Sequence, residues 1–164
     1  SPNTFLCTKK IYSDFVLELE FKVDTALNSG VQIRGDVYGK DAEVQKKGGK
    51  KKKMHQAGRV RGYQVEIDPD TTRNRMWTGG IYDEARRGWL ADLSKNKLAR
   101  DAFKPEQWNH FRIQANGDQI KTWIKGVHAV TLRDSMDTSG FIGLQDPRQR
   151  KDKGRVGNKE RHMI

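Results

Sequence analysis

Residues 15–23 read Phe15-Val16-Leu17-Glu18-Leu19-Glu20-Phe21-Lys22-Val23, so that Phe15, Leu17, Leu19, Phe21 and Val23 alternate with Val16, Glu18, Glu20 and Lys22. A period of two sustained over nine residues predicts a half-buried β-strand. Working outward, Asn28-Ser29-Gly30 is a turn signal, and beyond it Val31 and Ile33 alternate with Gln32 and Arg34. Further on, Tyr63, Val65 and Ile67 alternate with Gln64, Glu66 and Asp68 until Pro69 ends the run, which places an amide and two carboxylates on one face. Phe111, Ile113 and Ala115 lead to Asn116-Gly117, and Ile120, Thr122 and Ile124 follow it, a hairpin signature for which a type I′ turn at Asn-Gly is expected. Lys125-Gly126 predicts a second turn, with short strands at 127–132 and 141–144. About seven short strands, frequent turns and no amphipathic helix predict an all-β fold, an antiparallel β-sandwich. The apolar alternation starts late and stops after Gln145, so an edge strand is expected to be absent at each end.

The 164 residues suit one domain, and the net charge of +11 is unevenly spread. Residues 40–61 hold nine basic side chains against Asp41 and Glu43, and residues 148–164 hold seven against Asp152 and Glu160. The other 125 residues carry 16 basic and 17 acidic groups. A nucleic-acid binder normally spreads its excess over a folded face, so a nucleic-acid partner is not expected. The reading is a domain over 1–147 with 40–61 as a basic loop insertion, Lys46 to Lys53 forming a solvated loop, and 148–164 as a basic tail without a fold. Cys7 is the sole cysteine, which rules out an intrachain disulfide, and it suits a terminal strand as a small apolar residue. No apolar run reaches the length of a membrane helix. His55, His110, His128 and His162 are dispersed without zinc or triad spacing, so no cofactor is evident and a divalent cation is left open.

Residues 70–104 follow neither period, and a segment that long is expected to be functional; it contains Trp77, Tyr82 and Trp89, which suit either ligand platforms or anchors under the sheet. Asp83, Glu84, Arg86 and Arg87 could pair among themselves or grip a polar ligand through bidentate hydrogen bonds. Trp108 is expected in the core and Asn109 in a local turn contact.

Ordered blocks run along the chain: Asn3-Thr4-Phe5-Leu6, Tyr12-Ser13-Asp14-Phe15, Asn28-Ser29-Gly30-Val31-Gln32-Ile33-Arg34, Gly62-Tyr63-Gln64-Val65-Glu66-Ile67-Asp68, Gly79-Gly80-Ile81-Tyr82-Asp83, Trp108-Asn109, Lys125-Gly126 and Gly140-Phe141-Ile142-Gly143-Leu144-Gln145. Together they resemble the 3-keto-disaccharide hydrolase domain family. The resemblance implies a concanavalin A-like jelly roll, a carbohydrate ligand in the form of an oxidised disaccharide or glycoside, and a periplasmic or extracellular setting. It implies a reaction in which a base removes the C2 hydrogen next to a C3 ketone, the C1 group is expelled and water adds. Glu66 is then the expected base with Asp68 behind it, and Arg34 the expected stabiliser of the enolate. Gln64, Trp77, Tyr82, Asp83, Arg86, Arg87 and Gln145 are the expected substrate contacts. Where relatives continue from Leu-Gln into a histidine and a strand rich in Trp, Arg and Asn, this chain has Asp146-Pro147 and the basic tail. The rival readings are a glycosidase pairing Glu66 with Asp83 or Glu84, a non-catalytic carbohydrate-binding module, and a polyanion anchor built on the basic segments.

Overall fold

The structure, a computed structural model, describes residues 4–25, 27–45, 52–71, 75–146 and 148–149. Its strands are β1 (Phe5–Cys7), β2 (Phe15–Phe21), β3 (Leu27–Val37), β4 (Ala42–Gln45), β5 (Lys52–His55), β6 (Val60–Ile67), β7 (Ile81–Glu84) and β8 (Gly88–Ala91). The short helix α1 (Lys97–Ala102) precedes β9 (Asn109–Asn116), β10 (Gln119–Ile124), β11 (Val127–Arg133), β12 (Phe141–Gln145) and β13 (Arg148–Gln149). All pairings are antiparallel. The larger sheet runs β1-β12-β3-β6-β7-β8, with β13 also on β3, and the smaller runs β11-β10-β9-β2.

The two sheets close on one apolar layer. Val31, Ile33, Tyr63, Val65 and Ile81 of the larger sheet meet Phe111, Ile113, Ile120 and Ile124 of the smaller, all fully buried. Each such side chain contributes about 1.5–3 kcal/mol by leaving water, which is what drives the alternation of every strand to the same side. Phe15, Leu17, Leu19 and Phe21 join that layer only partly, because β2 is an edge strand. Leu6 and Leu144 sit on the core side of β1 and β12 but are 76% and 50% exposed, where the four-stranded sheet is too narrow to cover them.

Several expectations are corrected. Residues 70–104 carry β7, β8 and α1, and Asn96 caps the helix through a side-chain bond from the Ala99 amide. The basic insertion is no plain loop: β4 and β5 form a hairpin in register from Ala42↔His55 to Gln45↔Lys52, so Lys52 and Lys53 are strand residues, while 46–51 lie outside the described residues. Arg148 and Gln149 pair with Asn28 and Leu27, which moves the end of the sheet into the expected tail; 150–164 lie outside the described residues. Asn116 is the last residue of β9, and the turn is Gly117-Asp118 with Gly117 at φ 54°, whereas Lys125-Gly126 holds the pair of positive φ values, 49° and 79°, that a type I′ turn requires. Trp108 is 53% exposed instead of being a core residue. Asn109 does make the local contacts expected, bonding Lys104 and Gln107 through its amide.

Candidate active site

The odd residues of β6 face the core, so the even ones face outward, and the pairing of neighbouring strands lines up further polar groups with them. Gly30 lies opposite Glu66, Gln32 opposite Gln64, Tyr82 opposite Gln64 from the other side, and Glu84 opposite Gly62. Trp89 pairs with Tyr82, and Gln145 closes the row from β12. Gln32, Gln64, Glu66, Glu84 and Gln145 are all buried although no second sheet covers this face, because the side chains pack on one another.

Glu66 is at the centre. Its Oε1 accepts from Gln64 Nε2 at 3.1 Å and its Oε2 from Asn28 Nδ2 at 3.2 Å, and the same Gln64 amide donates to Gln145 Oε1 at 2.7 Å. Burial pushes the Glu66 carboxyl up to about 8; the Asn28 bond opposes the shift, and the charges of Asp68 and Glu84 add to it. The acceptor oxygens of Gln32 and Gln64 are buried without a hydrogen-bond partner, so this face presents acceptors that its own donors do not fill.

Asp68 continues the face past the end of β6. It is buried, forms an ion pair with Arg75 at 2.8 Å, and burial holds its carboxyl above the usual range against the pull of Arg75. The Arg75 guanidinium lies 5.3 Å from the Trp77 ring centroid and 5.8 Å from that of Trp89, which stands edge-on to both Trp77 and Tyr82. One wall of the site is therefore a cation laid over two indoles. Gln64, Glu66, Asp68, Trp77, Tyr82 and Gln145 are thus brought together.

Arg34 is not among them. Alternation would put it beside Gln32, but the β3–β6 register shifts between Ile33 and Asp36, and Arg34 takes a φ of 45°. This bulge re-aims the side chain toward the end of the smaller sheet. There Nε donates to Ser13 O, Nη1 to Gly117 O and Asp137 O, and Nη2 pairs with Asp14 at 3.1 Å. With the residue 1% exposed, this guanidinium ties the loops of the two sheets together.

Asp83, Arg86 and Arg87 also lie elsewhere. Asp83 pairs with Tyr63 on the core side and is fully buried, with Arg86 Nε at 2.7 Å on Oδ1 and Arg87 on Oδ2. Arg86 continues to Asp137, and Arg87 to Asp134 at 2.7 Å, which also accepts a hydrogen bond from the Tyr63 hydroxyl at 2.5 Å. Burial, and then the bond to Asp134, push the Tyr63 hydroxyl up to about 12. Self-pairing is therefore the role of this cluster. Asp83→Ala would strip two arginines of a shared buried carboxylate and cost about 3 kcal/mol. A lowered urea midpoint is the expected result.

Sequence reading missed Gln32, Asn28 and Arg75. Gln32 had a signal, since it alternates with Val31 and Ile33 on the side Gln64 shares. Arg75 had none, because it reaches the site from an irregular segment. Gly30 is a further requirement: a Cβ there would stand 2.5 Å from Gln64 Nε2 and 2.7 Å from its Cγ. Gly30→Ala should therefore push the Gln64 amide off Glu66 while the far-ultraviolet circular dichroism spectrum is unchanged.

The fold and this face define a jelly-roll β-sandwich domain whose outer surface is polar, buried and flanked by aromatic rings. The profile of the 3-keto-alpha-glucoside-1,2-lyase-like domain family matches residues 1–152, and the chain belongs to that family. Among solved structures, a protein of Parabacteroides distasonis provisionally described as a glycosyl hydrolase is 22% identical, with a TM-score of 0.53 over 87% of this chain and 75% of its own. A second such protein of the same organism is 16% identical, with a TM-score of 0.50 over 89% of this chain and 69% of its own. The carbohydrate-binding module CBM66 from Bacillus subtilis is 15% identical, with a TM-score of 0.48 over 89% of this chain and 74% of its own. No curated protein sequence matches. At these identities the two Parabacteroides distasonis structures bear on the fold alone. Among the described residues no group of three or more His, Cys, Asp or Glu side chains is placed to hold a metal ion, and no helix is long and apolar enough to cross a membrane.

Proposed function

We propose that the chain cleaves 3-keto glycosides by elimination, with Glu66 as the base. The single observation carrying this is the Glu66 carboxyl itself, buried on the outer face, held by two amides and pushed up to about 8. A base buried to that extent is a stronger proton acceptor than a solvated carboxylate and is worth about 10²–10⁴ in rate. The C3 ketone acidifies the C2 hydrogen; Glu66 takes that proton, the electron pair forms the C1–C2 double bond as the C1–O bond breaks, and the departing oxygen leaves with the pair that held it to C1. A proton returned to that oxygen and addition of water across the double bond complete the reaction.

Negative charge gathers on the C3 oxygen as the C2 proton leaves, and Arg75 takes over the stabilising role expected of Arg34. It is the cation paired with Asp68 next to Glu66, and the Trp77 and Trp89 rings flank it. Asp68 acts on this reading as a positioning residue for Arg75. Trp89, Tyr82 and Trp77 supply apolar surface for a pyranose ring, and Gln32, Gln64 and Gln145 supply amides for its hydroxyls.

The glycosidase reading is weaker on the same face. Asp83 points into the core, bonded there to Arg86 and Arg87, and Glu84 is ion-paired with Arg59. Incubation with a 3-keto disaccharide should release the 3-keto monosaccharide, while the unoxidised disaccharide should remain intact. Saturable binding without any product would make the domain a carbohydrate-binding module instead.

A further inference from the structure

The polar face does not end at Gln64. Two residues toward the start of β6, Gly62 lies opposite Glu84 of β7, and Glu84 is held in an ion pair by Arg59, where the chain enters β6. Gln32 is opposite Gln64, yet its amide leans toward Gly62: Nε2 donates to Arg61 O at 3.1 Å, and a Cβ on Gly62 would lie 3.0 Å from that nitrogen. Gly62 takes a φ of 117°, and the position between the Gln32 amide and Glu84 therefore carries no side chain of its own. The proton transfer at Glu66 makes no use of Glu84 or Arg59.

Among the described residues, most of the buried polar atoms that lack a hydrogen-bond partner lie along this face, and they fall into two groups. Gln64 Oε1, Arg75 Nε and Trp77 Nε1 belong to the Glu66 end, and Gln32 Oε1 and Arg59 Nε to the Gly62 end. Gln32 is fully buried, and because its nitrogen is committed to Arg61 O, its oxygen is the end left to accept. A buried acceptor without a donor is costly, and so is a buried N–H without an acceptor; here one of each stands with a carboxylate. That combination matches a sugar hydroxyl, which gives one hydrogen bond and accepts others. An anion would meet Glu84 and a cation would meet Arg59, so the patch suits a neutral polyol. From Gly62 to Glu66 the backbone runs ~13 Å, which exceeds one pyranose ring and accommodates two.

We propose that Gln32, Glu84 and Arg59 form a second sugar subsite that holds the neutral leaving sugar of a 3-keto disaccharide, with the disaccharide lying along β6 and its oxidised ring at Glu66. This rests on the role proposed for Glu66. Gln32 stands where the two rings join; its Oε1 accepts from a hydroxyl of the leaving sugar, Glu84 accepts from another, and Arg59 Nε donates to a hydroxyl oxygen. Binding energy from this second ring keeps the oxidised ring in register with Glu66, so a 3-keto glycoside with a small leaving group is the poorer substrate.

The test compares a 3-keto disaccharide with the methyl 3-keto glycoside of the same anomeric configuration, in the parent chain, Glu84→Gln and Arg59→Lys. The first variant keeps the side-chain shape and removes the carboxylate; the second keeps a cation facing Glu84 and removes the Nε donor. The parent should prefer the disaccharide by about tenfold or more in kcat/KM, and each variant should cut that preference by about three- to tenfold. Both substrates are read in the same preparation, so the ratio does not depend on how much of a variant is folded. A pair that merely braces the start of β6 would lower both rates alike and leave the ratio standing. Equal kcat/KM for the two substrates in the parent, or a preference retained in both variants, overturns the subsite and leaves Glu66 in its role. Turnover of neither substrate sinks the elimination instead, and the same ratio is then taken from the dissociation constants of the unoxidised disaccharide and methyl glycoside. A preference lost in the variants upholds the second subsite on a binding module, and equal or absent binding overturns it.

Discussion

Glu66→Gln lowers kcat/KM for a 3-keto disaccharide by about 10²- to 10⁴-fold, the span that removal of a positioned general base produces. Glutamine keeps the shape of the side chain and its one oxygen still accepts from one of the Gln64 and Asn28 amides, so sugar affinity should fall far less than turnover. The pH dependence has a definite sign. In the free protein the carboxyl titrates near 8, so near neutrality most molecules carry Glu66 protonated, and only the ionised fraction accepts a proton. A base therefore gives a kcat/KM that rises with pH and levels above about 8, whereas a Glu66 acting as an acid on an unoxidised glycoside gives one that falls there. Stability follows in the other direction. The folded carboxyl is raised above its unfolded value of 4.5, so the folded state holds a proton that the unfolded chain has released. Stability is greatest below the unfolded value and is lost as pH rises to about 8. The Gln variant should flatten that window, measured as urea midpoints from pH 4 to pH 9. A Glu66→Gln protein with full turnover would remove the residue from the reaction.

Arg34→Met unfolds the domain more easily without touching the chemistry. The guanidinium fills the space between Ser13, Gly117 and Asp137 and satisfies their carbonyls from a position 1% exposed, so its loss leaves three acceptors without a donor. Asp14, the charged partner, is 61% exposed and regains water when the pair is broken, which puts the cost at the lower end for buried pairs, about 3 kcal/mol. For a chain of this size that is a fall of roughly 10 °C in Tm. Arg34→Lys should not restore it, since a single ammonium cannot span donors aimed at four separate oxygens. Activity per folded molecule should stay within about twofold. A variant that folds with the parental Tm and has lost turnover would return Arg34 to the site.

The in-and-out alternation of 15–23, 31–34, 63–68 and 111–124 determined by itself that this is a sandwich and that Gln64 and Glu66 share a face, because side-chain direction in a strand follows from the covalent pleat and needs no knowledge of neighbours. The resemblance carried by the ordered blocks added Gln145 to the same face. Tertiary structure alone decided where that alternation breaks. At the bulge, Gly140 packs so tightly on Arg34 that a Cβ on it would lie 2.3 Å from the Arg34 carbonyl carbon, a contact between segments more than a hundred residues apart. Likewise Asp83 faces inward because its strand pairs with β6 in one register, and Arg75 enters the site from outside any strand. Register and inter-strand contact are properties of two segments at once, and no periodicity within one segment encodes them.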